Sequence, residues 1–521
     1  MKKFLNLSLA DVINTSKKLR VISRKAALVL ALVLLGTAGL YSQTYISTPG
    51  DWTNFVNRVT SGSSLSTDYY VLDIDIGVPG SPVPSPTTPI GGILRGIFYG
   101  NNKRINVAIN SNLINVGLFS EIGSSGAIES LVIEGYVTGG TNSQNVGGFA
   151  GLVSGSYHFH NCSNLSAVSC TNSNASVGGI VGKATAHCGF NICSNNGIIT
   201  GGSAVAGIVG TTTLGFIHFC KNAGLIKTNS ANPVYMAGIV ANCNTPNGVN
   251  IHGAVNIGKI ESANSAYAGG IVAYLKNSNV FSSLNAGIVD GAKTAVGGIV
   301  GYVDINPATL MDVRHCLNTN WVTASATATN SGAIVGFNSG GYIDSCYFDN
   351  QMCTLNVGVG VNSGGTVTAV SGLPTTSMLG TSFGGSFLWW NRVSNLYPTP
   401  NDNINQHPIQ LLAAAPIRLQ GGERLDNVRT DFFVSNEWSL IPPLFVPPPV
   451  SLPISLSGQY FYQWGWFNPI KLFSLNNFVE IVSPNIATIR IRGGWDSLAV
   501  RLTQPASAVI YEKVIPINVR P

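Results

Sequence analysis

VGGIVG occupies residues 177–182 and returns letter for letter at 296–301. Close relatives stand at 146–151 (VGGFAG), 205–210 (VAGIVG), 236–241 (MAGIVA), 268–273 (AGGIVA) and 331–336 (SGAIVG). The first small-residue slot falls at Gly147, Gly178, Ala206, Ala237, Gly269, Gly297 and Gly332, in steps of 31, 28, 31, 32, 28 and 35 residues. The next slot is also small, as in Gly179, Gly207, Gly238, Gly270 and Gly298. A weaker copy, VGLFSE, begins at 116, 30 residues before the first. Such a period marks a structural unit that buries its apolar face only when stacked on its neighbours.

A second block keeps step with the first: CSNLS (162–166), CSNNG (193–197), CKNAG (220–224), AVNIG (254–258), SLNAG (283–287), CLNTN (316–320) and CYFDN (346–350). Cys162, Cys193, Cys220, Cys316 and Cys346 share one slot, and Asn164, Asn195, Asn222, Asn256, Asn285 and Asn318 share the slot two residues later. The apolar runs are short, β-branched and bounded by Gly, Asn and Ser, which predicts strands and tight turns without helical periodicity. The expected fold is all-β: a parallel, right-handed β-helix or β-solenoid with one repeat per coil and about 4.8 Å between coils. The Gly pair is expected to turn a tight corner at positive φ and the following Ile-Val to fill the interior. Stacked asparagines are expected to form an amide ladder. Nine cysteines without a CxxC pair read as core residues rather than bridges or metal ligands.

The hexapeptide followed by a CxNxG block resembles the GLUG-motif repeats of bacterial secreted and surface proteins. DWTNFVNRV (51–59) spaces Trp52, Phe55, Val56 and Val59 as on a helix and looks like the capping helix of such coils. PIGGILRGIFYGNNKRINVAI (89–109) looks like the lead-in strands, and CYFDNQM, GLPTTSMLG (372–380), FLWWN (387–391) and YPTP like the closing module. The resemblance spans about residues 48–400 and implies architecture rather than activity. After a Pro-rich connector at 441–455, NIATIRIRGGWDSLAVRLTQP resembles the late strands of bacterial immunoglobulin-like domains. The expected organisation is an export segment (1–43), cap and lead-in strands (44–110), about eight solenoid repeats (111–350), closing module and linker (351–410), and an immunoglobulin-like β-sandwich (411–521).

Only 10% of the 521 residues are charged, while 45% are apolar and 60 are Gly. Seven of the 28 basic residues and one of the 22 acidic ones lie within residues 1–43, so the remainder balances at 21 of each. A neutral body gives no electrostatic reason to expect nucleic acid or an anionic membrane as partner. The basic stretch precedes the apolar run AALVLALVLLGTAGL (26–40), which reads as a secretory signal cut between Gly39 and Gln43 and would be the only membrane-directed element.

Polysaccharide lyases and hydrolases built on solenoids need clustered carboxylates. Residues 146–345 hold five acids: Glu261, Asp290, Asp304, Asp312 and Asp344. No two are read into one slot of adjacent coils, and Asp304, Asp312 and Arg314, the nearest to a cluster, read as solvated loop residues. His160, His218 and His252 precede the Cys slot by two residues. Ladder packing accounts for them, a transition-metal site with Cys220 being the rarer alternative. There is no GxxxxGK[ST] phosphate loop. Trp389, Trp390, Trp464 and Trp466 are the candidate sugar-stacking faces, although such aromatics more often fill cores. No catalytic residue, metal or cofactor is expected. The expected role is an exported stalk for adhesion or envelope structure, with a glycan or protein at the cell surface as partner. A carbohydrate-active solenoid enzyme is the alternative.

Overall fold

The computed structural model describes residues 42–400 except 156, 229–234, 245–247, 262–265, 292, 305–311, 325–329, 351–352, 354, 379–389 and 392–396; beyond 400 it describes the backbone of eight strands. Apart from the helix α1 (Pro49–Thr60) and one turn at Thr375–Met378, the regular structure among these residues is β. Three sheets of 26, ten and eight strands form a parallel β-solenoid.

One coil shows how the repeat is spent. Ser176–Gly178 enters the eight-stranded sheet and Val181–Ala184 the ten-stranded sheet. Cys188–Asn191, Ser194–Asn195 and Ile199–Thr200 then follow one another in the largest sheet. Each meets its copy in the next coil in parallel register: Val177 opposite Val205, Val181 opposite Val209, Phe190 opposite Ile217, Asn195 opposite Asn222 and Ile199 opposite Ile226. Val177, Ile180, Val181, Phe190, Cys193 and Ile199 are fully buried, so the coil's interior is filled by side chains.

The hexapeptide does turn the corner between the two smaller sheets, but not at positive φ. Left-handed backbone occurs instead one residue before the Cys slot, at Asn161, Ile192, Phe219, Gly253, Ser282, His315 and Ser345, with φ between 46° and 66°. The hexapeptide glycines are required by closeness. A Cβ on Gly179 would overlap the Gly207 carbonyl oxygen of the next coil and stand 2.5 Å from Asn195 Oδ1. On Gly298 it would overlap the Ala333 carbonyl oxygen and stand 2.5 Å from Asn318 Cγ.

Helix α1 covers the first coils. Thr48 Oγ1 accepts from the Asp51 amide at 3.2 Å and Asp51 Oδ2 accepts from the Thr48 amide at 2.9 Å, a capping box with Pro49 at the first helical position. Trp52, Phe55 and Val59 face the coil, and Phe55 packs against Tyr70 and Phe98 at 4.7 and 5.1 Å between ring centroids. Arg58 grips Asp68 with two bonds of 2.9 and 2.8 Å, and Tyr70 donates to the same carboxylate at 2.7 Å. Burial alone would raise the Asp68 pKa; the Arg58, Leu65 and Tyr70 bonds outweigh it and hold the carboxyl below its ordinary value. Burial, reinforced by Asp68, pushes the Tyr70 phenol up to about 12.

At the other end Tyr342–Asp349 pairs with Thr366–Leu373, and Tyr397 donates to the buried Asp349 at 2.6 Å. Between Leu411 and Arg520 eight strands form a five-stranded and a three-stranded sheet. The antiparallel pair Gly494–Thr503 and Ile510–Arg520 takes up the SLAVRLT and VIPINVR runs.

Two outcomes test this description. Gly179→Ala should destabilise the protein by about 1–3 kcal/mol through overpacking, although alanine tolerates the backbone angles there; an unchanged denaturant midpoint would disprove the close approach. Asp68→Asn should cost about 1.5–3 kcal/mol at neutral pH, the range for hydrogen bonds to charged groups. Because the folded-state pKa is depressed, that stability is present above the unfolded value and disappears as pH falls through the folded one. Unfolding curves of the two proteins should therefore converge in acid, and a constant offset would contradict the assignment.

Candidate functional site

The interior columns are occupied by residues of the Asn and Cys slots. Asn164, Asn222, Asn256, Asn285 and Asn318 are fully buried, and Asn195 is 1% exposed. Asn164 Nδ2 donates to Asn195 Oδ1, Asn195 to Asn222, Asn222 to Asn256, Asn256 to Asn285 and Asn285 to Asn318, each at 2.8 Å. Each amide also donates to the carbonyl two residues on, as Asn195 does to Gly197 at 3.0 Å. The ladder is closed at both ends: Ser166 Oγ donates to Asn164 Oδ1 at 2.6 Å, and Asn318 Nδ2 lies 3.8 Å from Cys353 Sγ. Gly148, Gly179, Gly207, Gly238, Gly270 and Gly298 pack directly on these amides. The first glycines of the corner, Gly147, Gly178, Gly269, Gly297 and Gly332, press on backbone instead.

All nine cysteines are buried and none is joined in a disulfide. Cys162, Cys193, Cys220, Cys316 and Cys346 line one interior column, each thiol facing a carbonyl of the preceding coil at 3.3–3.7 Å. Burial pushes the Cys162, Cys220 and Cys346 thiols up. Ala254 and Ser283 fill the slot between Cys220 and Cys316.

The histidines lie on the outer side of the same sheet. His218 and His252 are register partners with ring centroids 5.9 Å apart, wedged with Phe216 and Phe219 at 4.8 and 5.1 Å. His160 Nδ1 meets Asn191 Nδ2 at 3.2 Å. Burial lowers the pKa of His218 and His252, with His252 adding to the effect on His218. Cys220 is inside while these rings are outside. Among the described residues no three His, Cys, Asp or Glu side chains gather as metal ligands would.

The acids are arranged otherwise than the spacing suggests. Glu261 and Asp290 are direct register partners in adjacent coils, because their position after the Asn block is constant while the loops beyond vary. Lys259 stands 3.2 Å from Glu261 and 3.8 Å from Asp290, and Thr323 donates to Asp290 at 2.8 Å. Asp304 and Arg314 do not join in one cluster, since Asp304 ends a strand of the ten-stranded sheet and Arg314 lies in the largest sheet. Arg314 stacks on Tyr342 at 4.6 Å, and only the backbone of Asp312 is described. Gly380-Thr381-Ser382-Phe383-Gly384 spells GxSxG, a pattern shared with serine hydrolases, and lies outside the described residues.

Trp390 is no stacking face: it is 6% exposed, in a cluster with Val255, Ile257, Leu284, Leu317, Met378 and Tyr397. The closing segment thus docks on the outward apolar residues beside the Asn ladder. Trp389, Trp464 and Trp466 lie outside the described residues. A partly exposed aromatic surface lies elsewhere. Tyr235 and Tyr267 pair in the eight-stranded sheet with rings 5.5 Å apart, and Tyr274 and Tyr302 pair in the ten-stranded sheet at 5.6 Å. Phe337 continues the second column 4.8 Å from Tyr302. The columns meet across the corner, with Tyr267 at 5.8 Å from Tyr274 and 5.0 Å from Tyr302. Tyr274 donates to Asp304, which also pairs with Lys276 at 3.4 Å. Burial raises the Tyr274 pKa and Asp304 raises it further, so the phenol stays protonated.

No family model matches the sequence, and no curated protein matches it. A solved structure from Bacteroides ovatus, described as a candidate immunoglobulin A1 protease, aligns over 68% of this chain and 91% of its own, at 16% identity and a TM-score of 0.28.

The ladder makes a graded prediction. Asn256→Ala removes an inner rung, leaving Asn222 without its acceptor and Asn285 without its donor, and should cost about 2–5 kcal/mol from two impaired buried groups. Asn164→Ala removes an end rung, touches one neighbouring amide and should cost less. Equal losses in chemical unfolding would mean that the amides do not act as a column.

Proposed function

We propose that the chain is an exported bacterial surface or secreted protein whose β-solenoid is a stalk for adhesion or envelope structure, without a catalytic centre. The observation that carries this reading is the filled interior. Apolar, Asn and Cys columns occupy the coil, so any partner must be met by outward columns repeated from coil to coil. The resemblance to GLUG-motif repeats and to a bacterial immunoglobulin-like domain supports the same role. So does the basic and apolar start of the sequence. No helix among the described residues is long and apolar enough to cross a membrane.

One observation favours a carbohydrate-active enzyme as second reading. Paired strands hold Glu261 and Asp290 about 4.8 Å apart at the backbone, comparable to the carboxyl separation of about 5 Å in retaining glycosidases. Lys259 between them favours an ion-pair ladder instead.

Expression in a bacterial host should yield extracellular protein starting between Leu40 and Thr44, which N-terminal sequencing reads directly. That protein should bind cells or polysaccharides saturably without releasing reducing ends. Met1 retained on the exported chain would overturn the cleaved signal. Sustained reducing-sugar release, abolished by Glu261→Gln or Asp290→Asn, would replace adhesion by the second reading.

A further inference from the structure

We propose that the corner surface of Tyr235, Tyr267, Tyr274, Tyr302 and Phe337 binds a neutral polysaccharide chain laid along the solenoid axis. The proposal deepens the adhesion reading and rests on it.

The solenoid does not need these rings to stack. In earlier coils the same slots hold Ser176 and Ala204 in the eight-stranded sheet, and Leu152, Lys183, Thr211 and Asn242 in the ten-stranded one. Later coils return to Ala295 and Val361. In these two slots aromatic residues are therefore confined to one stretch of the rod, and all five are left partly exposed. Partly exposed rings gathered in one patch mark a contact surface.

The geometry suits a sugar chain. Tyr274, Tyr302 and Phe337 form an offset stack at interplanar angles of 14° and 8°, so each ring leaves a strip of its face uncovered. Tyr267 leans across that stack at 41° and 54°, and Tyr235 meets Tyr274 at 61°, so the two columns form an angled floor. The stack advances one step per coil, about 4.8 Å, close to the length of one pyranose unit in an extended chain. Apolar ring strips match the C–H faces of the sugars, and the phenols offer hydroxyl partners along the row. Asp304 is balanced by Lys276, so the patch has no surplus charge to select an anionic polymer.

The test uses the full exported chain in affinity electrophoresis with soluble xylan, hydroxyethyl cellulose, galactomannan and laminarin, with alginate and pectate as anionic arms. At least one neutral polymer should retard the protein. Tyr302→Ala and Tyr274→Ala should each weaken retardation by up to about tenfold, the upper range for one aromatic stacking contact, while Tyr302→Phe should stay within about twofold. Bound polymer should also protect Tyr302 of the unaltered protein from nitration, read by mass spectrometry, which keeps the test valid if an alanine variant misfolds. Unprotected Tyr302, or full retardation of folded alanine variants, overturns this site and leaves adhesion standing. Retardation by alginate or pectate alone overturns the ligand class. Binding to cells without any to polysaccharide overturns the glycan proposal only, and binding to neither overturns adhesion as well.

Discussion

A buried primary amide has two donors and an acceptor to satisfy, and in this fold much of that demand is met one coil away. The Asn164–Asn318 ladder therefore dictates register: a slip of one residue in any inner coil would break two rungs and bury their polar atoms unpaired. It also dictates glycine. The corner must come close enough to cover the amides, and a methyl group at Gly179 or Gly207 would occupy the space of the Asn oxygen. Hexapeptide and CxNxG block are two halves of one contact, which is why they keep step although the loops between them vary in length.

Left-handed backbone before the Cys slot follows from the same closure. Ile192 is β-branched and sits at φ 55°, a conformation that ordinarily costs about 1–3 kcal/mol. It is held there because Asn191 and Ser194 on either side are both locked to neighbouring coils. Among these corners Gly253 and Asn161 are suited to the conformation, whereas Ile192, Phe219, Ser282 and Ser345 are not. The stack, rather than local preference, selects it.

This accounts for what could be read from the sequence alone. Parallel coils and the inward Cys and Asn columns were legible because identical spacing puts identical residues over one another, and the helix because Trp52, Phe55 and Val59 recur every three or four residues. The left-handed corner was not, since Asn161, Ile192 and Phe219 share no chemistry. The Glu261–Asp290 pair escaped because its register is set by short strands after the Asn block, not by the hexapeptide. The tyrosine surface escaped for a related reason. Its rings come from two slots on opposite sides of VGGIVG-like turns, so only folding brings Tyr267 beside Tyr302. Trp390 shows the converse, an aromatic whose bareness in sequence says nothing of the apolar edge that it covers.

Every rung of the amide column points the same way, with its N–H toward the Asn318 end and its C=O toward Asn164. Parallel amide dipoles, each near 3.5 D in a peptide unit, add head to tail as they do in a helix. The rod thus has a permanent electrical axis at its core, partially positive where it meets Cys353 and partially negative where Ser166 closes it. A solenoid with almost no net charge is still polarised along its length.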